Sequence, residues 1–267
     1  MREVNRRRSI AACIVFAAIA MAAADDKVAT KPALHLKAFH DDLAGTTLRV
    51  DMVPVVPKGG SKPFYIAKFE TSWELFDTFV FGFDQQQPKG STLEADAVTR
   101  PSKPYISMDR GFGHAGYPAI STSYLAAKRY CEWLAIKTGR PYRLPTVQEW
   151  QAACELAAVP KASITTFAWC RENAEGKTHE LGSSKADALG CHDLYGNASE
   201  WCTDETGKGV TLGGTFKEAA DALGCSSIVP YSADWNASDP QFPKSKWWLA
   251  DGGFVGFRVV CDVKDEQ

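Results

Sequence analysis

The sequence predicts an α+β domain with few helices, small sheets and a large share of ordered loop. Three observations lead there. Three amphipathic segments between residues 70 and 157 have helical periodicity and clear boundary signals. Strand-like segments stand at both ends of the region, FYIAKFE (64–70) and Gly253–Cys261. Between them, residues 160–262 are rich in Gly, Trp, Asp and Asn and show no sustained period. A chain with so much irregular structure gains from covalent staples, and it carries eight cysteines.

The elements follow in order. Residues 25–60 read as a polar leader or linker containing one strand, Leu48–Val56. FYIAKFE alternates as a half-buried strand does. Thr71 and Glu74 have the spacing of a capping box, in which each side chain binds a free backbone N–H at the other's position. The helix it opens carries Leu75, Phe76, Phe79 and Val80. Residues 84–119 hold Gly, Pro, Gln and Ser with little period, a long loop of the kind that is often functional. A second helix starts near Ser121, buries Tyr124, Ala127, Cys131 and Leu134, and stops at Gly139. A third runs from the Thr146/Glu149 capping box to about Ala157. The last strand is expected to run unbroken through FVGFRVV.

The N-terminus has the three parts of a secretory signal. Arg2, Arg6, Arg7 and Arg8 supply the positive start, Ile10–Ala20 the apolar run, and Ala20, Ala22, Ala23 and Ala24 the small residues of a cleavage site. The apolar run falls short of the about 20 residues that span a bilayer. Residues 1–24 therefore read as a signal peptide of bacterial type, and the mature chain as periplasmic or secreted, with no membrane contact after cleavage. Loss of four arginines and one glutamate leaves 26 basic against 31 acidic residues. A net −5 disfavours nucleic acid and anionic membranes as partners. Outside the cytoplasm, the seven remaining cysteines read first as disulfides with one thiol left over. No CxxC or zinc-type spacing is present. Asn197 and Asn236 head glycosylation sequons, which in a bacterial chain are chance matches.

Six segments together resemble one known family: YPAISTSYLAAKRYCEWL (117–134), RLPTVQEWQAAC (143–154), AWCRENAEGKTHELGSSK (168–185), LGCHDLYGNASEWC (189–202), GGTF (213–216) and GGFVGFRVV (252–260). Their order and spacing are similar to those of the formylglycine-generating enzymes, or sulfatase-modifying factors. The domain so marked covers 61–263. The resemblance implies a variant of the C-type-lectin-like fold. It also implies an activity, since the name-giving members oxidise a protein cysteine to formylglycine with copper held by two cysteines. Membership of a family fixes fold better than reaction.

On the family's pattern the copper cysteines belong at Glu218 and Leu223. Neither offers a thiolate, the soft ligand that Cu(I) prefers, so copper is not expected and the catalytic residues are unknown. The resemblance further implies disulfides Cys131–Cys261 and Cys154–Cys225, although Cys261 stands two residues later than the family places its cysteine. One more bridge within Cys170, Cys191 and Cys202 is expected, with the unpaired member undetermined. The turn Gly196-Asn197-Ala198-Ser199-Glu200 resembles a structural calcium site, with Gly196 and Ala198 carbonyls and the Glu200 carboxylate as hard oxygen donors. A second calcium position would fall at Asn173-Ala174.

Two functions stay open. One is a sulfatase-modifying-factor-like protein acting on a protein or peptide substrate. The other is a non-catalytic module that binds a peptide or glycan on the same scaffold. In the second, loops 84–119 and 235–248 would make the contacts, with Trp235, Asn236 and Asp239 as candidate binding residues. Arg143 and Glu149 read as structural, the arginine paired with a buried carboxylate, and Trp133, Trp150 and Trp201 as core.

Overall fold

The computed structural model describes residues 36–86 and 93–264. The expected signal peptide lies outside them. Two sheets organise the chain. The first contains β1 (Phe39–Asp42), β2 (Arg49–Val55), β3 (Phe64–Ala67), β4 (Tyr142–Arg143) and β9 (Val260–Asp262), in the order β1-β2-β3-β9-β4 with every pair antiparallel. The second has β5 (Ser199–Thr203), β6 (Gly209–Leu212), β7 (Val229–Pro230) and β8 (Val255–Gly256), in the order β7-β6-β5-β8. The α-helices among the described residues are α1 (Trp73–Phe81), α2 (Leu93–Asp96), α3 (Tyr124–Thr138), α4 (Val147–Ala157) and α5 (Ile164–Phe167).

The five-stranded sheet is buried on both faces because its strands are apolar at both parities. Val50 and Met52 of β2 join Ala67, Val259 and Cys261 on one face, against α1 and α3. Val53 and Val55 join Phe64, Ile66 and Val260 on the other, against α4 and strands β5 and β6. Successive side chains point to opposite faces of a strand, so one sheet serves two cores. Trp133, Trp150 and Trp201 are all core, each no more than 1% exposed.

Four expectations change. The strand expected over Leu48–Val56 forms as β2, but with β1 it pairs into the main sheet. Residues 39–55 are therefore part of the fold, not a leader. The first helix is capped by Ser72, whose Oγ accepts from Leu75 N–H at 3.3 Å, while Glu74 accepts the Gly116 N–H at 2.7 Å. The Thr71/Glu74 box thus does not form, whereas the Thr146/Glu149 box does. The second helix starts at Tyr124, with Ser123 as its cap. Finally, the last strand is broken. Its first part, β8, runs parallel to β5, and its second part, β9, crosses to the other sheet. Arg258 stands at the crossing, turned inward.

One disulfide closes among the described residues, Cys154–Cys225, as expected. Cys131 and Cys261 stay thiols. Val259 and Cys261 share a face of the strand, and moving the cysteine two residues along displaces it by about 6.6 Å. Disulfides tolerate Cα separations of only about 4.4–6.8 Å. Cys170, Cys191 and Cys202 are also buried thiols, so the further bridge expected there is not formed. Burial pushes the Cys191 thiol up to about 12 and Cys261 up to about 11, which keeps both unreactive.

The long loop after α1 is pinned by charge. His114 Nε2 lies 2.8 Å from Asp77 of α1, and Nδ1 lies 3.0 Å from Asp109 of the loop. Its ring stacks on Trp73. Burial pulls the imidazole pKa down, but the two carboxylates outweigh it and the net shift is upward.

Candidate functional site

Gly213-Gly214-Thr215 turns the chain out of β6, and Glu218 closes the turn that follows. The Glu218 carboxylate accepts from the Thr215 N–H at 2.7 Å and also from the Thr215 hydroxyl. Its carbonyl accepts from Arg171 N–H at 2.8 Å. Leu223 is buried in the cluster that holds Trp150 and the Cys154–Cys225 bridge. One residue ties a turn and the other fills core. Neither presents a thiol.

Beneath that turn lies a buried charge centre. Arg258 is fully enclosed. It donates through Nε to both Glu200 oxygens at 2.9 Å and through Nη2 to Glu200 Oε1 at 2.6 Å. Its remaining hydrogens go to the Ala67, Lys68 and His192 carbonyls. Trp150 Nε1 adds a bond to Glu200 Oε2 at 2.7 Å. Glu70 accepts from Asn197 Nδ2 and from the Ala198 N–H. Burial, then repulsion from Asp193 and Glu200, drives the Glu70 carboxyl well above its usual range. Asp193 is also buried and raised, chiefly by burial. The Ser184 hydroxyl and Gly182 N–H lie close to it, but neither oxygen of Asp193 has a hydrogen bond of normal geometry.

These contacts decide the calcium expectation residue by residue. Both Glu200 oxygens already serve Arg258 and Trp150, so Glu200 does not fit as a calcium ligand. The carboxylate with oxygens to offer is Asp193, three residues before Gly196, which the sequence reading passed over. Asn197 shapes the turn, with a left-handed φ of 53° and its Oδ1 on the His179 N–H. Gly196 is required there, since a β-carbon would sit 2.2 Å from the Trp169 carbonyl oxygen. Asn173 is consumed by backbone bonds to Cys170, Thr165 and Ala168. Its side chain is therefore not free for the second calcium position.

The 235–248 loop also corrects the reading. Asn236 and Asp239 are buried struts, not ligand contacts. Asn236 accepts from Ala250 N–H and donates to Asp239 and to the Ser245 carbonyl. Asp239 takes the N–H groups of Gln241 and Ser245. Trp235 is half-buried among Trp201, Tyr231 and Phe254. Burial of Asn197 and Asn236 also removes both sequons as glycan acceptors.

What these struts hold in place is one wall of a cleft. A cleft of about 230 Å³ is lined by Arg110 and Phe112 from the first long loop, Phe216 and Lys217 from the GGT turn, and Ala250, Asp251 and Gly253 from the second loop. Phe112 meets Phe216 edge-on at 5.5 Å, and Lys217 Nζ lies 4.4 Å from the Phe254 ring centre. A larger cavity, about 330 Å³, lies between α3, β4 and the β5–β6 turn. Its ionic groups other than Lys128, which rides over Tyr124, are spent: Arg143 on Glu149 and Asp262, Glu132 on Arg129, and the Cys131 thiol is pushed up by burial. The smaller cleft adjoins the substituted cysteine positions and keeps its cations unpaired among the described residues.

Comparison with known proteins agrees with this architecture. The model of the sulfatase-modifying factor enzyme 1-like domain matches residues 57–263. Among solved structures, Treponema denticola variable protein 1 superposes with a TM-score of 0.57 at 16% identity, covering 85% of this chain and 99% of its own. PvdO from Pseudomonas aeruginosa gives 0.51 at 19% identity, with 85% and 92% covered. CarF gives 0.50 at 17% identity, with 80% and 99% covered. At such identities the likeness is one of fold. No curated protein matches the chain.

Proposed function

Because the chain belongs to the family of sulfatase-modifying factor enzyme 1-like domains, we propose that it is an exported member that binds a protein segment and does not oxidise a cysteine. The observation that carries this reading is the use made of Glu218 and Leu223. The first closes a turn through Thr215 and the second is core. A copper mechanism needs soft sulfur ligands at these places. The described thiols lie elsewhere, each buried.

Binding is supported by the cleft beside the same turn. Two aromatic rings, two cations and exposed backbone loops converge there on a rigid frame, the usual make-up of a recognition site. Export is supported by the Arg-rich start, the short apolar run and the alanines after it, and by a disulfide that an oxidising compartment would maintain. A structural calcium ion belongs to the proposal at the Gly196–Ala198 turn, where Asp193 would be its carboxylate beside backbone carbonyls, the hard oxygen donors that Ca²⁺ prefers.

The test is a pair of arrays, one of peptides and one of glycans, probed with the mature protein and with Phe112→Ala. Peptide signal that the variant loses at unchanged thermal midpoint supports the proposal. Glycan signal alone, or peptide signal indifferent to Phe112, overturns it.

A further inference from the structure

The cleft carries two cations, Arg110 and Lys217, against one carboxylate, Asp251, and neither cation is in an ion pair among the described residues. Arg110 is half-buried, yet its hydrogen bonds end on neutral groups: Nε on Ser121 Oγ at 3.1 Å, Nη2 on the Leu249 carbonyl at 3.0 Å and near Met108 Sδ at 3.8 Å. Among the described residues it forms no ion pair, and neither does Lys217, whose ammonium rides over Phe216 and Phe254. The carboxylates nearby are committed. Asp251 takes the Ser238 N–H and hydroxyl on its two oxygens. Asp109 takes Ser107, Gly111 and His114. Burial pulls the Arg110 guanidinium below its ordinary pKa, and Asp251 and Asp109, neither within ion-pair distance, offset only part of that.

The backbone is arranged around this side chain. Arg110 holds a left-handed φ of 60°, a conformation that costs a non-glycine residue energy and that clusters at working sites. Across from it, position 253 is glycine, and a β-carbon there would come within 3.0 Å of Arg110 Cγ. The guanidinium is thus set into the cleft wall by a strained loop on one side and a missing side chain on the other.

We propose that this cleft binds an acidic peptide segment, with a carboxylate against Arg110 and Lys217 and a neighbouring apolar side chain on Phe112 and Phe216. The inference rests on the protein-segment reading above and specifies its ligand. Guanidinium and carboxylate match in shape and charge, and a partly desolvated site strengthens the pairing. The aromatic floor rewards an apolar residue beside the acid.

A random heptapeptide library displayed on phage, selected on the wild-type protein and on Lys217→Glu, tests it. Lys217 is exposed, so its reversal leaves the fold intact. Enrichment of Asp or Glu next to an aromatic or aliphatic residue is expected, with that acidic bias lost on Lys217→Glu. The best acidic peptide should bind the variant about tenfold more weakly or worse, and lose affinity with added salt. Peptides enriched without acidic bias, and bound equally by both proteins, would overturn the inference while leaving peptide binding in place. No enrichment on either protein would overturn both.

Discussion

Arg258 and Glu200 form a fully enclosed ion pair, with Arg258 Nη2 2.6 Å from Glu200 Oε1, that ties the crossing between β8 and β9 to the strand β5. Because both charges are out of water, removing one strands the other. Arg258→Ala is expected to cost about 3–5 kcal/mol of unfolding free energy. Arg143→Ala, which breaks the half-exposed pairs with Glu149 and Asp262, is expected to cost about 1 kcal/mol. Denaturant unfolding of the two variants checks the contrast, and equal losses would refute it.

The Cys154–Cys225 bridge joins residues 71 apart and anchors the irregular stretch between α4 and the end of the GGT segment. Replacing both by serine should lower stability by about 2–5 kcal/mol. Cys131, Cys170, Cys191, Cys202 and Cys261 should resist alkylation in the native protein and react once it unfolds, because all five are buried. Mass spectrometry after alkylation with and without denaturant reads this directly.

His114 links α1 to the loop that forms one cleft wall. Its pKa is raised in the folded state, so its pairs with Asp77 and Asp109 stabilise the protein fully below the unfolded histidine value, and that contribution is lost as pH rises through the folded value. Urea midpoints should therefore fall from about pH 6 to pH 8 more steeply in the wild type than in His114→Gln. Parallel pH profiles would show that the clamp contributes nothing.

These contacts explain what could be read from sequence. The helices α3 and α4 were legible because their signals are local: Gly139 ends one, and Thr146 and Glu149 start the other. The family resemblance implied the pairing of Cys154 with Cys225. What could not be read depends on partners far along the chain. Arg258 meets Glu200 across 58 residues at the break in the final strand, and that meeting occupies both Glu200 oxygens. Asn236 and Asp239 look like exposed polar loop residues, yet Ala250 and Ser245 fold back onto them and turn them into struts. Arg110 carried no signal at all, since its place in the cleft depends on Ser121, Leu249 and Gly253, distant in sequence, and on Asp251 standing beyond ion-pair distance.

The central claim is that this family scaffold binds without oxidising. The most direct measurement supplies the mature protein with a sulfatase-type peptide containing one cysteine, together with Cu(I), reductant and oxygen. An aldehyde-reactive hydrazide and mass spectrometry then show whether the cysteine is converted. With Glu218 and Leu223 at the copper positions, the peptide should be recovered with its thiol intact and no hydrazide adduct. Copper-dependent aldehyde in the peptide, absent with heat-denatured protein, would contradict the account.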